Sequence, residues 1–314
     1  MHYSPLLWIG FNLFVLVLLA LDLGVFHKKP HAIEFKEAMA WSIIWVLVAL
    51  LFNLGVLVFV DSKAALDFFT GYLIERSLSI DNIFVFLVIF NYFKVQPQYQ
   101  HKVLFWGIIG ALVMRGLFIW GGIALIERFH WTIYLFGAVL IYSGLQMALQ
   151  KEKELDPEKN LILRIIKKIL PFTNKYDGGK FLTHDGRRVG TLLLMVLCLI
   201  EVTDVIFALD SIPAILAITT DPFIVFTSNV FAILGLRALY FAFAHFSKLF
   251  YYLQFGLSGV LLFVGIKMVS TDFIKIPTGI SLVIISVILG IAIFASVKWP
   301  PETKKEVFPR GRDS

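Results

Sequence analysis

Glu75-Arg76-Ser77-Leu78-Ser79-Ile80-Asp81-Asn82-Ile83 reads against Asp204-Val205-Ile206-Phe207-Ala208-Leu209-Asp210-Ser211-Ile212 with acid over acid at two positions and Asn82 over Ser211. Both stretches sit within apolar runs long enough to cross a bilayer. A carboxylate at the bilayer centre costs about 2.5–3.5 kcal/mol on insertion scales, so a chain that carries the pattern twice has a use for it. The pattern points to transport, and the sign of its charge to a cation.

Composition fixes the class. The 314 residues are 59% hydrophobic and 16% charged, and the mean hydropathy is +0.83, more apolar surface than a water-soluble core could hide. Windows of about 20 residues mark spans near 4–26, 38–60, 67–93, 101–126, 131–149, 189–216, 222–245, 250–271 and 273–297. The first lacks the basic leader and small-residue cleavage site of a signal peptide, so it is expected to stay as an anchor.

Lys and Arg set the expected orientation. Alternate loops place 21 of the 28 on one side: three in 27–37, two in 91–103, ten in 150–188, Lys248, and five after residue 297. The other side holds Lys63, Arg128 and Lys275, and the remaining four lie within spans. The positive-inside rule then predicts an outer N-terminus and a cytoplasmic C-terminus. The net charge of +6 is thus a topology signal, and no nucleic-acid motif accompanies it. Cys198 is the single cysteine, which excludes intrachain disulfides, CxxC redox chemistry and thiolate metal clusters.

The repeat extends past the acids. Ala111-Leu-Val-Met-Arg115 is followed in the second half by Ile233-Leu-Gly-Leu-Arg237, and Gly137 through Met147 matches Ser258 through Met268, with Gly144 over Gly265. Three matches in one order imply a duplicated three-helix unit. Three is odd, so the second copy enters from the opposite side, a plan recurrent in secondary transporters whose sites lie at the repeat interface. The expected fold is an all-α polytopic membrane protein of about nine transmembrane helices containing two inverted repeats. It divides into an N-terminal pair (1–66), the first repeat (67–149), a cytoplasmic linker (150–188), the second repeat (189–271), and a last helix with a basic tail (272–314). Within the linker, Asp156-Pro157-Glu158 opens an amphipathic helix suited to a lipid surface.

The expected metal site comprises Glu75, Asp81 and Asn82 on the third helix, with Glu201, Asp204, Asp210 and Ser211 on the sixth. Seven-residue spacing puts Glu75 with Asn82, and Asp204 with Ser211, on shared faces; Glu201 joins the latter at i, i+3. Asp81 and Asp210 point about 120° away, so either they serve another surface or the helices unwind. Pro213 favours distortion of the sixth. Arg115 and Arg237 are expected to balance charge, and Asn53 and Asn229 to serve packing or as outer ligands. Carboxylate, amide and hydroxyl oxygens suit hard divalent ions such as manganese, calcium or magnesium over zinc or copper.

The segments Gly71 through Phe84, Glu201 through Ala214 and Thr219 through Asn229 resemble the TerC family, especially its Alx-like branch, and the similarity runs over nearly the whole chain. The resemblance implies a bacterial inner-membrane protein linked to manganese export and metal-ion homeostasis, alkaline-pH response and, in some relatives, metal supply to exported enzymes. It carries the family's acidic positions onto Glu75, Asp81, Glu201, Asp204 and Asp210. The expected function is manganese export by alternating access, with exchange against protons as an option, no tightly bound cofactor and no enzymatic role. HExxH and GxSxG are absent. The competing expectation is a partner protein that hands metal to exported enzymes or serves a stress response without transport of its own.

Overall fold

The computed structural model describes residues 4–24, 35–149, 172–173, 176–184, 188–244 and 252–299. The amphipathic helix expected from Pro157 onward and the basic tail lie outside the described residues.

The chain builds α1 (Pro5–Gly24), α2 (Phe35–Phe59), α3 (Ser62–Tyr92), α4 (Pro97–Arg128) and α5 (Thr132–Leu149), then a hairpin of β1 (Leu182–His184) and β2 (Arg188–Gly190). It continues through α6 (Leu192–Leu216), α7 (Pro222–Leu234), α8 (Leu236–Ala244), α9 (Leu253–Val269) and α10 (Thr278–Lys298). The all-α fold expected from composition holds. Among the described residues six helical segments are long and apolar enough to cross a membrane, with Pro222–Phe243 counted as one span interrupted at Gly235. α1 and α9 are shorter apolar helices, and α3 is long but carries Lys63, Asp67, Glu75, Arg76 and Asp81.

Local chemistry sets the helix starts. Asp61 accepts the Ala64 amide at the head of α3, and Asp221 accepts those of Phe223 and Ile224 ahead of α7, with Pro222 in the first turn. Such caps satisfy amides that the helix itself leaves unpaired. Thr191 caps α6, whose side-chain oxygen accepts from Leu194. The sixth helix therefore starts at Leu192 rather than 189, because residues 188–190 pair antiparallel with 182–184. A turn at Gly178-Gly179 precedes this hairpin, which falls largely in the segment expected as a cytoplasmic linker.

Burial sorts the helices into centre and rim. The Pro222–Phe243 span is 89% buried, against 22% for Phe35–Phe59, so α7 and α8 sit at the centre and α2 at the edge. α3 packs on α7 as α6 packs on α4, and α5 lies along α9. That last pair is antiparallel and close: a Cβ on Gly137 would press on Val269 and the Gly265 carbonyl, and one on Gly144 on Leu262 and the Ser258 carbonyl. Ser258 Oγ donates to the Gly144 carbonyl at 2.7 Å. Glycine here lets two backbones touch, which any side chain would prevent.

Candidate functional site

α3, α4, α6 and α7 each bring one or two polar side chains to a point in the buried centre. Arg115 on α4 is the hub. It is 2% exposed, as is Ser211; Glu75 is fully buried, Asp204 is 3% exposed and Asn229 1%. The guanidinium donates through Nε and Nη2 to both oxygens of Asp204, at 3.3 and 3.1 Å. Nη1 bonds Glu75 Oε1 and is shared with Asn229 Oδ1 at 2.8 Å and Ser211 Oγ at 3.2 Å. A planar, five-donor group matches such a set as a lysine could not.

The cluster is not fully satisfied. Glu75 Oε2 and Asn229 Nδ2 have no hydrogen-bond partner among the described residues. Within this hydrogen-bonded set two carboxylates face one guanidinium. Arg237 on α8, which is 4% exposed, lines a cavity of about 10 Å³ together with Asp204. That is space for about one water molecule.

The remaining predicted residues do not converge on this point. α3 and α6 run as unbroken helices through the motif, so the unwinding that would gather all the oxygens is absent from both; Pro213 is carried inside α6, which ends three residues later. The break falls instead at Gly235, between α7 and α8. Asp81 and Asp210 consequently serve another surface. They are half-buried, near enough for their charges to interact, and Asp210 accepts from Ser143 on α5 at 2.7 Å. Glu201 lies apart against Gly110 on α4, where a Cβ would overlap its carboxylate. Asn82 is buried but is not among the partners of Arg115. Among the described residues no three His, Cys, Asp or Glu side chains are grouped to hold a metal ion. In this conformation Arg115 takes the position that a cation between Glu75 and Asp204 would need.

Asn229, expected to serve packing or as an outer ligand, enters the cluster directly. Sequence reasoning assigned no role to Arg76 or Asp67. Arg76 donates to the Ala232 carbonyl at 3.1 Å and packs on Gly235, serving the carbonyls at the break. Asp67 lies inside α3 because that helix starts at Ser62 rather than 67; it is 4% exposed, and its Oδ1 has no hydrogen-bond partner among the described residues. The Asp61 cap was the signal that would have extended the helix backward.

An apolar plug closes one end of the bundle. Ile83, Phe86 and Phe90 pack with Leu104, Val196, Leu199, Ile200 and Tyr240. The hairpin segment covers the plug: Tyr176 Oη donates to the Phe93 carbonyl at 2.7 Å, and Lys102 Nζ to that of Gly179 at 2.6 Å. Partial burial pushes the Tyr176 phenol up from its ordinary value.

Residues 60–305 match the family described as integral membrane protein TerC. An uncharacterized membrane protein, STKORF319, of Myxococcus xanthus is 53% identical over 295 residues, covering 94% of this chain and 92% of the relative. Alx of Escherichia coli (strain K12), whose name proposes a membrane-bound redox modulator, is 46% identical over 304 residues and 94% of each chain. The Alx protein of Salmonella typhi is 45% identical over 300 residues, covering 92% of this chain and 93% of the relative. No solved structure matches the chain significantly.

Proposed function

The chain belongs to the TerC family of integral membrane proteins, and from that premise we propose that it transports a hard divalent cation, manganese foremost, by alternating access across a bacterial inner membrane. The observation that carries this reading is the Arg115 cluster, in which carboxylates from α3 and α6 meet at one buried point around a cation that belongs to the protein. Glu75 and Asp204 together carry two negative charges, which one divalent ion matches. The guanidinium matches only one of them, so the resting cluster has capacity for one proton. Exchange of metal against Arg115 and a proton follows from that charge count, since metal binding to carboxylates displaces protons.

Four oxygen-bearing side chains, Glu75, Asp204, Ser211 and Asn229, supply carboxylate, hydroxyl and amide donors of the kind hard ions take, with water completing the shell. A purely structural ion pair would be expected to satisfy its own atoms; Glu75 Oε2 and Asn229 Nδ2, without partners among the described residues, favour a site built for a second occupant. The reading as two inverted copies is supported by the α5–α9 contact. Gly137 meets Gly265 and Gly144 meets Ser258, and in the repeat Ser258 is the counterpart of Gly137 and Gly265 that of Gly144. Such reciprocity is what a two-fold axis between copies requires. We take the N-terminus as outer and the C-terminus as cytoplasmic from the Lys and Arg distribution. No enzymatic step and no resident cofactor enter this reading. The partners are the metal ion, protons and lipid.

The test is manganese flux in proteoliposomes under a pH gradient. The parent protein should move manganese, and Glu75→Gln or Asp204→Asn should abolish movement in both directions. Flux that survives either substitution, or a parent that moves no divalent ion, would refute the reading. If a metal-linked cellular phenotype persisted with Asp81 and Asp210 neutralised as well, the partner-protein alternative would gain.

A further inference from the structure

At the end of the bundle where α3 and α10 begin and α9 ends lies a second cavity, of about 680 Å³. It is lined by Lys63, Lys267 and Lys275, by the first residues of α10, and by apolar walls that include Leu66 and Ile274. The charge distribution along the chain makes this gathering notable. Of 28 Lys and Arg residues the topology assigns three to this side of the membrane, and two of those, Lys63 and Lys275, line the cavity. Basic residues are disfavoured on that side, so their convergence with Lys267 calls for a reason other than general solvation.

Three features point to an anion. Lys267 is 8% exposed, so its ammonium reaches the cavity from a largely dehydrated position. The structure gives that ammonium no hydrogen bond or close ion pair among the described residues, and Asp67, buried behind it, lies within electrostatic reach. Among the described residues three ammoniums and no carboxylate line the cavity; the one carboxylate behind its wall, Asp67, bonds the Thr278 side chain, and the surroundings stay net positive. α10 opens into the same space without a side-chain cap, its N-cap being Pro277. Its first backbone bond runs from the Ser281 amide to the Pro277 carbonyl, and Thr278 and Gly279, whose amides precede that bond, line the cavity. An uncapped 21-residue helix presents free amides and the positive end of its dipole to whatever sits there.

We propose that this cavity binds a phosphate group, held by Lys63, Lys267, Lys275 and the amides of α10. The volume falls in the range of small-ligand sites and exceeds what the oxyanion alone fills. The apolar walls suit the glycerol and first methylenes of an anionic phospholipid, whereas the ammoniums and amides suit free phosphate equally. The site is independent of the Arg115 cluster and of what that cluster carries.

The experiment is thermal unfolding of the purified full-length protein, read by tryptophan fluorescence, in two settings. In detergent, inorganic phosphate is titrated against chloride at matched ionic strength. In nanodiscs, phosphatidylglycerol is compared with phosphatidylcholine. A midpoint that rises with phosphate identifies the free anion; a rise confined to phosphatidylglycerol identifies the headgroup; either supports the site, because only a ligand of the folded state raises stability. Lys63→Gln/Lys275→Gln, at exposed positions whose replacement leaves folding intact, should raise the half-saturating phosphate concentration by about tenfold or remove the lipid preference. Lys267→Gln should do the same, with Lys267→Arg restoring the response. No rise in either setting, or a rise unchanged in Lys63→Gln/Lys275→Gln, would overturn the proposal.

Discussion

The acids that open the two matched stretches and the acids six residues further on meet different surroundings. Glu75 and Asp204 are sealed in the core and share one guanidinium. Asp81 and Asp210 are half-buried on another surface, where a hydroxyl serves Asp210. A six-residue step leaves a side chain about 120° from its starting face, and because α3 and α6 are unbroken, nothing turns the second pair back. One motif thus supplies two stations of different character. The sealed pair needs its compensating charge from the protein; the partly open pair can draw on solvent and a weak donor.

The largest expected effect breaks that contrast at its hub. Arg115→Met leaves two buried carboxylates without their cation, and removing one partner of such a group costs about 3–5 kcal/mol. Thermal unfolding in detergent should show this as a steep fall in the midpoint. Asp210→Asn should cost about 1 kcal/mol, the scale of one neutralised hydrogen bond. Equal losses at the two sites would erase the distinction.

Packing at the rim of the sealed pair gives the next effect. Gly110→Ala would drive its Cβ into the Glu201 carboxylate, the free end of a flexible side chain that can swing aside, so the expected loss is about 1 kcal/mol. Adding Glu201→Ala should recover much of it, so the two changes should be strongly non-additive in a double-mutant cycle. Additive losses would place Glu201 elsewhere. Ser143→Ala, which removes the donor to Asp210 at 2.7 Å, should cost about 0.5–1.5 kcal/mol.

Much of the fold was legible because its signals are periodic and local. Apolar runs of about 20 residues gave the spans, whereas the start of α6 was set three residues early because Thr191 was not read as its cap. The pairing of Asp204 with Ser211 followed from their seven-residue spacing, and Arg115 was expected to balance charge from its mid-span position; the same spacing put Asn82 with Glu75, and Asn82 does not reach Arg115. The break at Gly235 was not legible, because proline at 213 is the louder breaker and yet is absorbed within α6, near its end. The contribution of Asn229 depends on α7 lying against α3 and α4, a long-range contact that no local pattern encodes. Asp67 opened the expected span 67–93, and only the cap at Asp61 shows that it lies more than a turn inside the helix. The separation of Asp81 and Asp210 from the cluster was one of two open alternatives, and helix continuity decided it.

The smallest expected effect lies outside the membrane. Asp177 in the hairpin segment accepts from Thr183 Oγ1 at 2.8 Å and from Lys180 at 3.4 Å, and these two donors, Thr183 first, hold its carboxyl below the usual aspartate range. A depressed folded-state value stabilises the protein above the unfolded value of about 3.9, and that contribution is lost as pH falls through the folded value. Asp177→Asn should therefore be slightly less stable than the parent at neutral pH, and the difference should shrink in acid. Because Asp177 is exposed and stays charged at neutral pH, its removal should leave the pH dependence of the unfolding midpoint between about pH 5 and 8 unchanged. Whatever dependence persists there belongs to other groups. A neutral-pH dependence that vanished with Asp177→Asn alone would instead locate the response in the hairpin.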